Sequence, residues 1–153
     1  MTDSLDTTYL ETLLGYNARR TALTIIERFM ERMAEFELSP VDFSVLSLIH
    51  HNPGVTSRQL CKALNILPPN MVVFLKAFEK RELVQRKPHP TDGRATGLSL
   101  TPQGLTLMQA AEQRAMESDL SVAKRLTSAE QKTLVRLLKK IYAEGDTSKT
   151  LGK

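Results

Sequence analysis

Four helices, a short basic β-hairpin and two further helices are what this sequence predicts: a mainly α fold with a small β-hairpin wing, in the arrangement of a winged helix-turn-helix. Three observations carry that expectation. Apolar residues recur at three- and four-residue intervals over most of the chain. Ser39-Pro40 and Thr101-Pro102 place a side-chain acceptor directly before a proline, which suits the N-cap and first position of a helix. Between Leu83 and Leu100 the helical period gives way to two short extended stretches around the turn-rich Pro88-His89-Pro90-Thr91-Asp92-Gly93.

The first helix is expected to run unbroken from Tyr9 to Phe36, a stretch with no proline and one glycine in which Ala18, Ala22, Ile25, Ile26, Phe29, Met33 and Phe36 form one face. The second runs from Pro40 to about His51 and is ended by Asn52-Pro53-Gly54. A third starts at Thr56 or Ser57 and carries Leu60, Ala63 and Leu64 inward; a tight turn at Asn65 to Leu67 follows. Pro68-Pro69 is tolerated only at a helix start, so a fourth helix continues to about Arg81 with Met71, Phe74, Leu75 and Phe78 on its buried stripe. After the hairpin, a fifth helix is expected from Thr101-Pro102 to about Leu126. Thr127-Ser128-Ala129-Glu130 is the capping box of a sixth, and the chain beyond Gly145 reads as frayed. The whole is expected to be a single domain over 1–153, with a central winged-helix lobe at 38–104 flanked by helices at 5–37 and 105–143. Leu10, Leu13 and Leu14 near one end and Leu134, Leu137, Leu138 and Ile141 near the other offer more apolar surface than the lobe can cover, so they should meet a second copy.

With 153 residues, 41% hydrophobic and 25% charged, the chain has the composition of a folded globular domain. No apolar run is long enough for a membrane span, and Met1 to Asp6 carries no signal-peptide pattern, so a cytoplasmic protein without membrane partners is expected. Cys61 is the only cysteine, which excludes an intramolecular disulfide and a cysteine-based zinc site. No phosphate loop and no nucleophile–base pair is visible, so neither an enzyme nor a cofactor is expected. Charge is unevenly spread: residues 1–54 carry four Arg and eight acids, residues 55–104 eight basic and three acidic side chains, and residues 105–153 nine and six. The middle third, at +5, is the candidate surface for a polyanion.

A helix fits the DNA major groove, a preceding helix braces it across the backbone, and a basic hairpin can reach the adjacent minor groove or phosphates. On that logic Ser57, Asn70, Met71, Val73 and Lys76 on the helix pair, and Arg86, Lys87, His89 and Arg94 on the hairpin, are the candidate DNA-binding residues. Asn70, near the start of the recognition helix, suits an adenine edge, and Lys76 suits a phosphate. Val72 or Val73 could touch a thymine methyl, with one of the two expected in the core. The alternative is a winged-helix scaffold for protein contacts that binds no DNA.

The order and spacing of Leu38-Ser39-Pro40-Val41-Asp42-Phe43-Ser44-Val45-Leu46, Phe78-Glu79-Lys80-Arg81-Glu82-Leu83-Val84, Pro90-Thr91-Asp92-Gly93-Arg94-Ala95 and Leu100-Thr101-Pro102-Gln103-Gly104 resemble the MarR family of bacterial transcription regulators, over roughly residues 8–143. The resemblance implies a homodimer with interlocking terminal helices, a pseudo-palindromic double-stranded operator, and a small-molecule effector that changes DNA affinity. It also implies that Arg94 reaches the minor groove while Asp92, beside Gly93 in the turn, holds the hairpin. Val72 and Val73 stand where many members carry Thr and Arg, and Glu82 replaces a common Gly.

An aromatic acid or its thioester conjugate is the expected effector. Arg19 borders the apolar face of the first helix, near Tyr16 and facing Phe43 and His50, where it could pair with a carboxylate; a salt bridge within or between subunits is the competing role. In MarR-like proteins the pocket commonly lies between the dimerisation helices and the DNA-binding lobe. Cys61 is read as a packing residue. His50 and His51 diverge by about 100° on a helix, which argues against metal ligation by that pair alone.

Overall fold

The computed structural model describes residues 5–89 and 91–143. Helices α1 (Thr8–Glu11) and α2 (Leu14–Met33) lead through a 3₁₀ turn (Ala34–Phe36) to α3 (Pro40–His51), α4 (Ser57–Leu64) and α5 (Pro68–Lys80). Strands β1 (Val84–Pro88) and β2 (Thr96–Leu100) precede α6 (Pro102–Val122) and α7 (Ser128–Tyr142). The expected frayed end beyond Gly145, and Pro90 of the hairpin loop, lie outside the described residues.

Four of the helix starts fall where side-chain caps stand. Ser39, Thr56 and Thr127 form reciprocal capping boxes with Asp42, Gln59 and Glu130, and the Thr101 hydroxyl accepts from the Gly104 amide. Two ends differ from expectation. The first helix is broken: Leu13 adopts an extended conformation (φ −89°, ψ 129°), and side chains on either side of it donate to the neighbouring carbonyls. The Thr12 hydroxyl donates to the Tyr9 carbonyl at 2.7 Å, and the Asn17 amide donates to Glu11 and Leu13 carbonyls at 2.8 and 2.9 Å. Helix α6 likewise ends at Val122 rather than Leu126, and the Gln131 amide of α7 donates to the Ala123 carbonyl in the connecting turn.

The core gathers one face from each central element: Met33, Leu46, Ile49, Leu60, Met71, Leu75, Phe78, Leu98 and Met108 are all essentially inaccessible to solvent. Helix α6 lies along α2, and the Arg114 guanidinium of α6 pairs at 3.0 Å with Glu35 in the 3₁₀ turn that follows α2. By contrast, α7 buries none of its residues within the chain, and Leu134, Leu137, Leu138 and Ile141 stand exposed. Such an apolar face is a surface awaiting a partner.

The hairpin is antiparallel, with Val84 opposite Leu100 and Pro88 opposite Thr96. Val55 adds a bridge to Leu98, which ties the α3–α4 loop to the base of the wing. Gly97 is required there, because a Cβ would stand 2.9 Å from the Gly54 carbonyl oxygen. Gly104 is needed still more, since its Cβ would meet the Leu83 oxygen at 2.1 Å.

Candidate nucleic-acid interface

Two exposed features, the outer face of α5 and the tip of the hairpin, lie on a frame fixed by buried side chains. The turn between α4 and α5 is made by Asn65, which adopts the left-handed region (φ 51°) that Asn tolerates better than most residues. The amide of Ile66 then donates to the Cys61 carbonyl at 3.0 Å. Cys61 itself is half-buried against the core. Ser57 is half-buried at the first position of α4, beside helix amides of the kind that can meet a phosphate.

On α5 the helical register sorts the candidates. Met71, Leu75 and Phe78 point inward, and Met71 is 1% exposed. Met71 therefore packs in the core, as its place on the buried stripe predicts, and its inclusion among the DNA-binding candidates is corrected. Val72 and Val73 are a second correction. Neither is in the core, at 45% and 67% exposure, because positions 71, 75 and 78 already fill the inward stripe. With exposed Asn70 and Lys76 they make an outer face that is polar at its start, apolar in its middle and cationic further on.

The far end of α5 is held by Arg81, which sequence reasoning missed. Its guanidinium donates to the carbonyls of Phe36 at 2.8 Å and Glu37 at 3.1 Å and so locks α5 to the turn after α2. The partners are backbone carbonyls more than forty residues away, which no local pattern reveals. Glu82 follows at φ 56°, in the left-handed region that glycine enters most freely.

In the hairpin, Arg86 forms an ion pair with Glu79 of α5, so its charge is partly neutralised and it braces wing against helix. Lys87 and Arg94 are exposed. The Asp92 carboxylate accepts the backbone N–H of Arg94 at 3.1 Å, which shapes the turn and leaves the Arg94 guanidinium to solvent. His89 is turned inward on the loop: its Nδ1 accepts the amides of Asp92 and Thr91 at 3.2 and 3.3 Å. Gly93 is exposed, with no atom where a Cβ would stand.

The expected effector pocket does not assemble within one chain. Phe43 packs edge-to-face on Phe29 with ring centroids 5.3 Å apart. Arg19 lies ten residues earlier on α2, about 15 Å along the axis at 1.5 Å per residue, and Tyr16 further still. Arg19 is exposed and Tyr16 half-buried. His50 faces another way: its Nδ1 lies 3.2 Å from Glu112 Oε1 on α6, which also receives the Ser47 hydroxyl at 3.0 Å and His51 Nε2 at 2.8 Å. Burial pushes the Glu112 carboxyl up, but hydrogen bonds from His50, Ser47 and His51 outweigh it and hold the group below the usual glutamate value. The divergence expected of adjacent histidines is overcome at the last turn of α3, where the rings stand 4.6 Å apart. Beside them a cleft of about 380 Å³ runs between α3 and the base of the hairpin, lined in part by Ile49, His50, Gln85, Ser99 and Leu105.

The MarR family model matches residues 38–96. A transcriptional regulatory protein for the hcr operon of Thauera aromatica is 30% identical over 86% of this chain and 80% of its own length. Among solved structures, the transcriptional repressor CouR bound to a 23-mer DNA duplex superposes with a TM-score of 0.84 at 33% identity, covering 91% of this chain and 99% of that one. CouR bound to p-coumaroyl-CoA gives 0.79 at 32% identity, with 93% and 100% covered. No described helix is long and apolar enough to cross a membrane.

Proposed function

The chain belongs to the MarR family of transcription regulators, and from that premise we propose that it is a homodimeric repressor of genes beside its own, released from DNA by an aromatic acid or its thioester conjugate. The observation that carries the reading is the outer face of α5, where Asn70, Val72, Val73 and Lys76 are exposed together while Met71, Leu75 and Phe78 anchor the helix from behind. Asn70 bonds a base edge, the valines meet thymine methyls, and Lys76 meets the backbone. Ser57 and Lys87 add phosphate contacts, and Arg94 enters the minor groove. Arg86 and His89 act chiefly by holding the wing in shape, through Glu79 and the loop amides.

Two copies joined through α1, the start of α2 and α7 present two recognition helices to half-sites about 34–36 Å apart, hence a pseudo-palindromic operator. An effector lowers affinity only by favouring a dimer in which that spacing is lost. The effector class is supported by the p-coumaroyl-CoA complex of CouR. Since Tyr16 and Arg19 are distant from Phe43 along their own chain and His50 is turned to Glu112, the effector pocket joins Tyr16, Arg19 and Phe43 across the dimer, without His50. The test is a titration of the operator complex with aromatic carboxylates and their CoA thioesters. Release of DNA by one of them, lost in Arg19→Ala with operator affinity kept within a few-fold, supports the assignment; release unchanged in Arg19→Ala places the carboxylate elsewhere.

A further inference from the structure

The cluster on which α3 and α6 meet is unusual in its hydrogen bonding. Three donors, the Ser47 hydroxyl, His50 Nδ1 and His51 Nε2, converge on one carboxylate oxygen, Glu112 Oε1, at 3.0, 3.2 and 2.8 Å. A carboxylate oxygen offers two lone pairs, so the three donors exceed what it can satisfy in good geometry. The surplus donor capacity sits on two imidazoles that can act equally well as ligands. One nitrogen of each histidine and a carboxylate oxygen of Glu112 lie within 4.8 Å of one another.

We propose that His50, His51 and Glu112 form a Zn²⁺ site that staples the end of α3 to α6. The donor set is two imidazole nitrogens and one carboxylate oxygen, which suits zinc and excludes Mg²⁺ and Ca²⁺, whose sites are built of oxygen. Three protein ligands leave the fourth tetrahedral position to water. That position faces solvent, because the His51 side chain is 62% exposed whereas those of His50 and Glu112 are 19% and 26% exposed. Zinc at about 2.0–2.2 Å from each donor needs the donors roughly 3.3–3.5 Å apart. His50 and Glu112 already stand at 3.2 Å, and the exposed His51 ring, now 2.8 Å from the same oxygen, is the one free to draw back by the roughly half ångström that a shared metal requires. Each imidazole would bind the metal through a nitrogen that carries no proton, its N–H then lying on the other ring nitrogen. Ser47 stays on the carboxylate and orients it, the role an outer hydrogen bond plays around a bound metal.

The chain offers a built-in control, because His89 and Cys61 are its only other imidazole and thiol. The full-length protein is titrated with Zn²⁺ against a chromogenic chelator, and thermal unfolding is followed with and without the metal. The expected result is one Zn²⁺ per chain and a raised melting temperature. Affinity should fall by at least about tenfold in both His51→Ala and Glu112→Gln, with the thermal shift lost. His89→Ala and Cys61→Ser should bind as the wild type does. Melting curves of the metal-free variants verify that they are folded, and His51→Ala changes an exposed side chain. Equal zinc affinity in His51→Ala and Glu112→Gln, loss of binding in His89→Ala or Cys61→Ser, or binding of Mg²⁺ as tight as of Zn²⁺ would overturn the assignment. None of these readouts involves DNA, so the zinc site and the repressor reading can fail separately.

Discussion

Replacing Arg94 by alanine separates charge from shape in the wing. The turn depends on the Asp92 carboxylate accepting the backbone N–H at position 94, a bond that alanine keeps, so the hairpin should persist while its tip loses one cation. Each protein cation that displaces a counterion from duplex DNA contributes about 0.9 to the slope of log affinity against log salt. One Arg94 on each wing of a dimer therefore amounts to a slope difference of about 1.8. Over a fourfold rise in salt, for example from about 50 to about 200 mM, the wild type's advantage over the variant should shrink roughly 12-fold. Fluorescence anisotropy with a labelled operator at four or five salt concentrations measures this directly, with circular dichroism to verify folding. Parallel salt lines for wild type and variant, with equal affinities, would refute the reasoning and leave the hairpin a structural turn.

Asn70→Ala should behave in the opposite way, costing about 1–3 kcal/mol on the cognate operator at unchanged salt slope, with discrimination relaxed at one base pair, as competition between operator variants would measure. Leu137→Glu with Leu138→Glu places charges on the exposed apolar face of α7 and should leave the chain monomeric at micromolar concentration in sedimentation velocity. Gly104→Ala drives a Cβ to 2.1 Å from the Leu83 carbonyl oxygen, so the base of the wing must shift. A loss of about 3 kcal/mol in urea unfolding at unchanged m-value is expected.

Four helix starts were legible in the sequence because they are written locally: Ser39, Thr56, Thr101 and Thr127 cap within three residues of the start they fix. The break at Leu13 was not, because nothing in its residue types forbids helix; it is made by Thr12 and Asn17 side chains competing for carbonyls. On α5 the three- and four-residue spacing already placed Met71 on the buried stripe, but the apolar type of Val72 and Val73 wrongly suggested that one of them joined it. The register set by Leu75 and Phe78 decides it. Arg81 on the Phe36 and Glu37 carbonyls, and Glu112 beneath His50 and His51, join residues 44 to 62 positions apart, beyond any periodic pattern. The effector pocket was the least legible part. A helical wheel gives the angle of Arg19 but not its height along α2, and height is what separates it from Phe43.

The central claim, that α5 and the wing of a dimer read a specific DNA site, is tested most directly by binding the purified protein to the intergenic DNA beside its own gene at several salt concentrations, with footprinting of the protected bases. The account predicts a saturable complex of one dimer on a pseudo-palindrome with half-sites one helical turn apart, hundreds of times or more tighter than on scrambled DNA and weakening steeply with salt. Equal affinity for scrambled sequence, or no complex at low salt from a folded dimer, would contradict it and leave the winged helix as a surface for protein contacts.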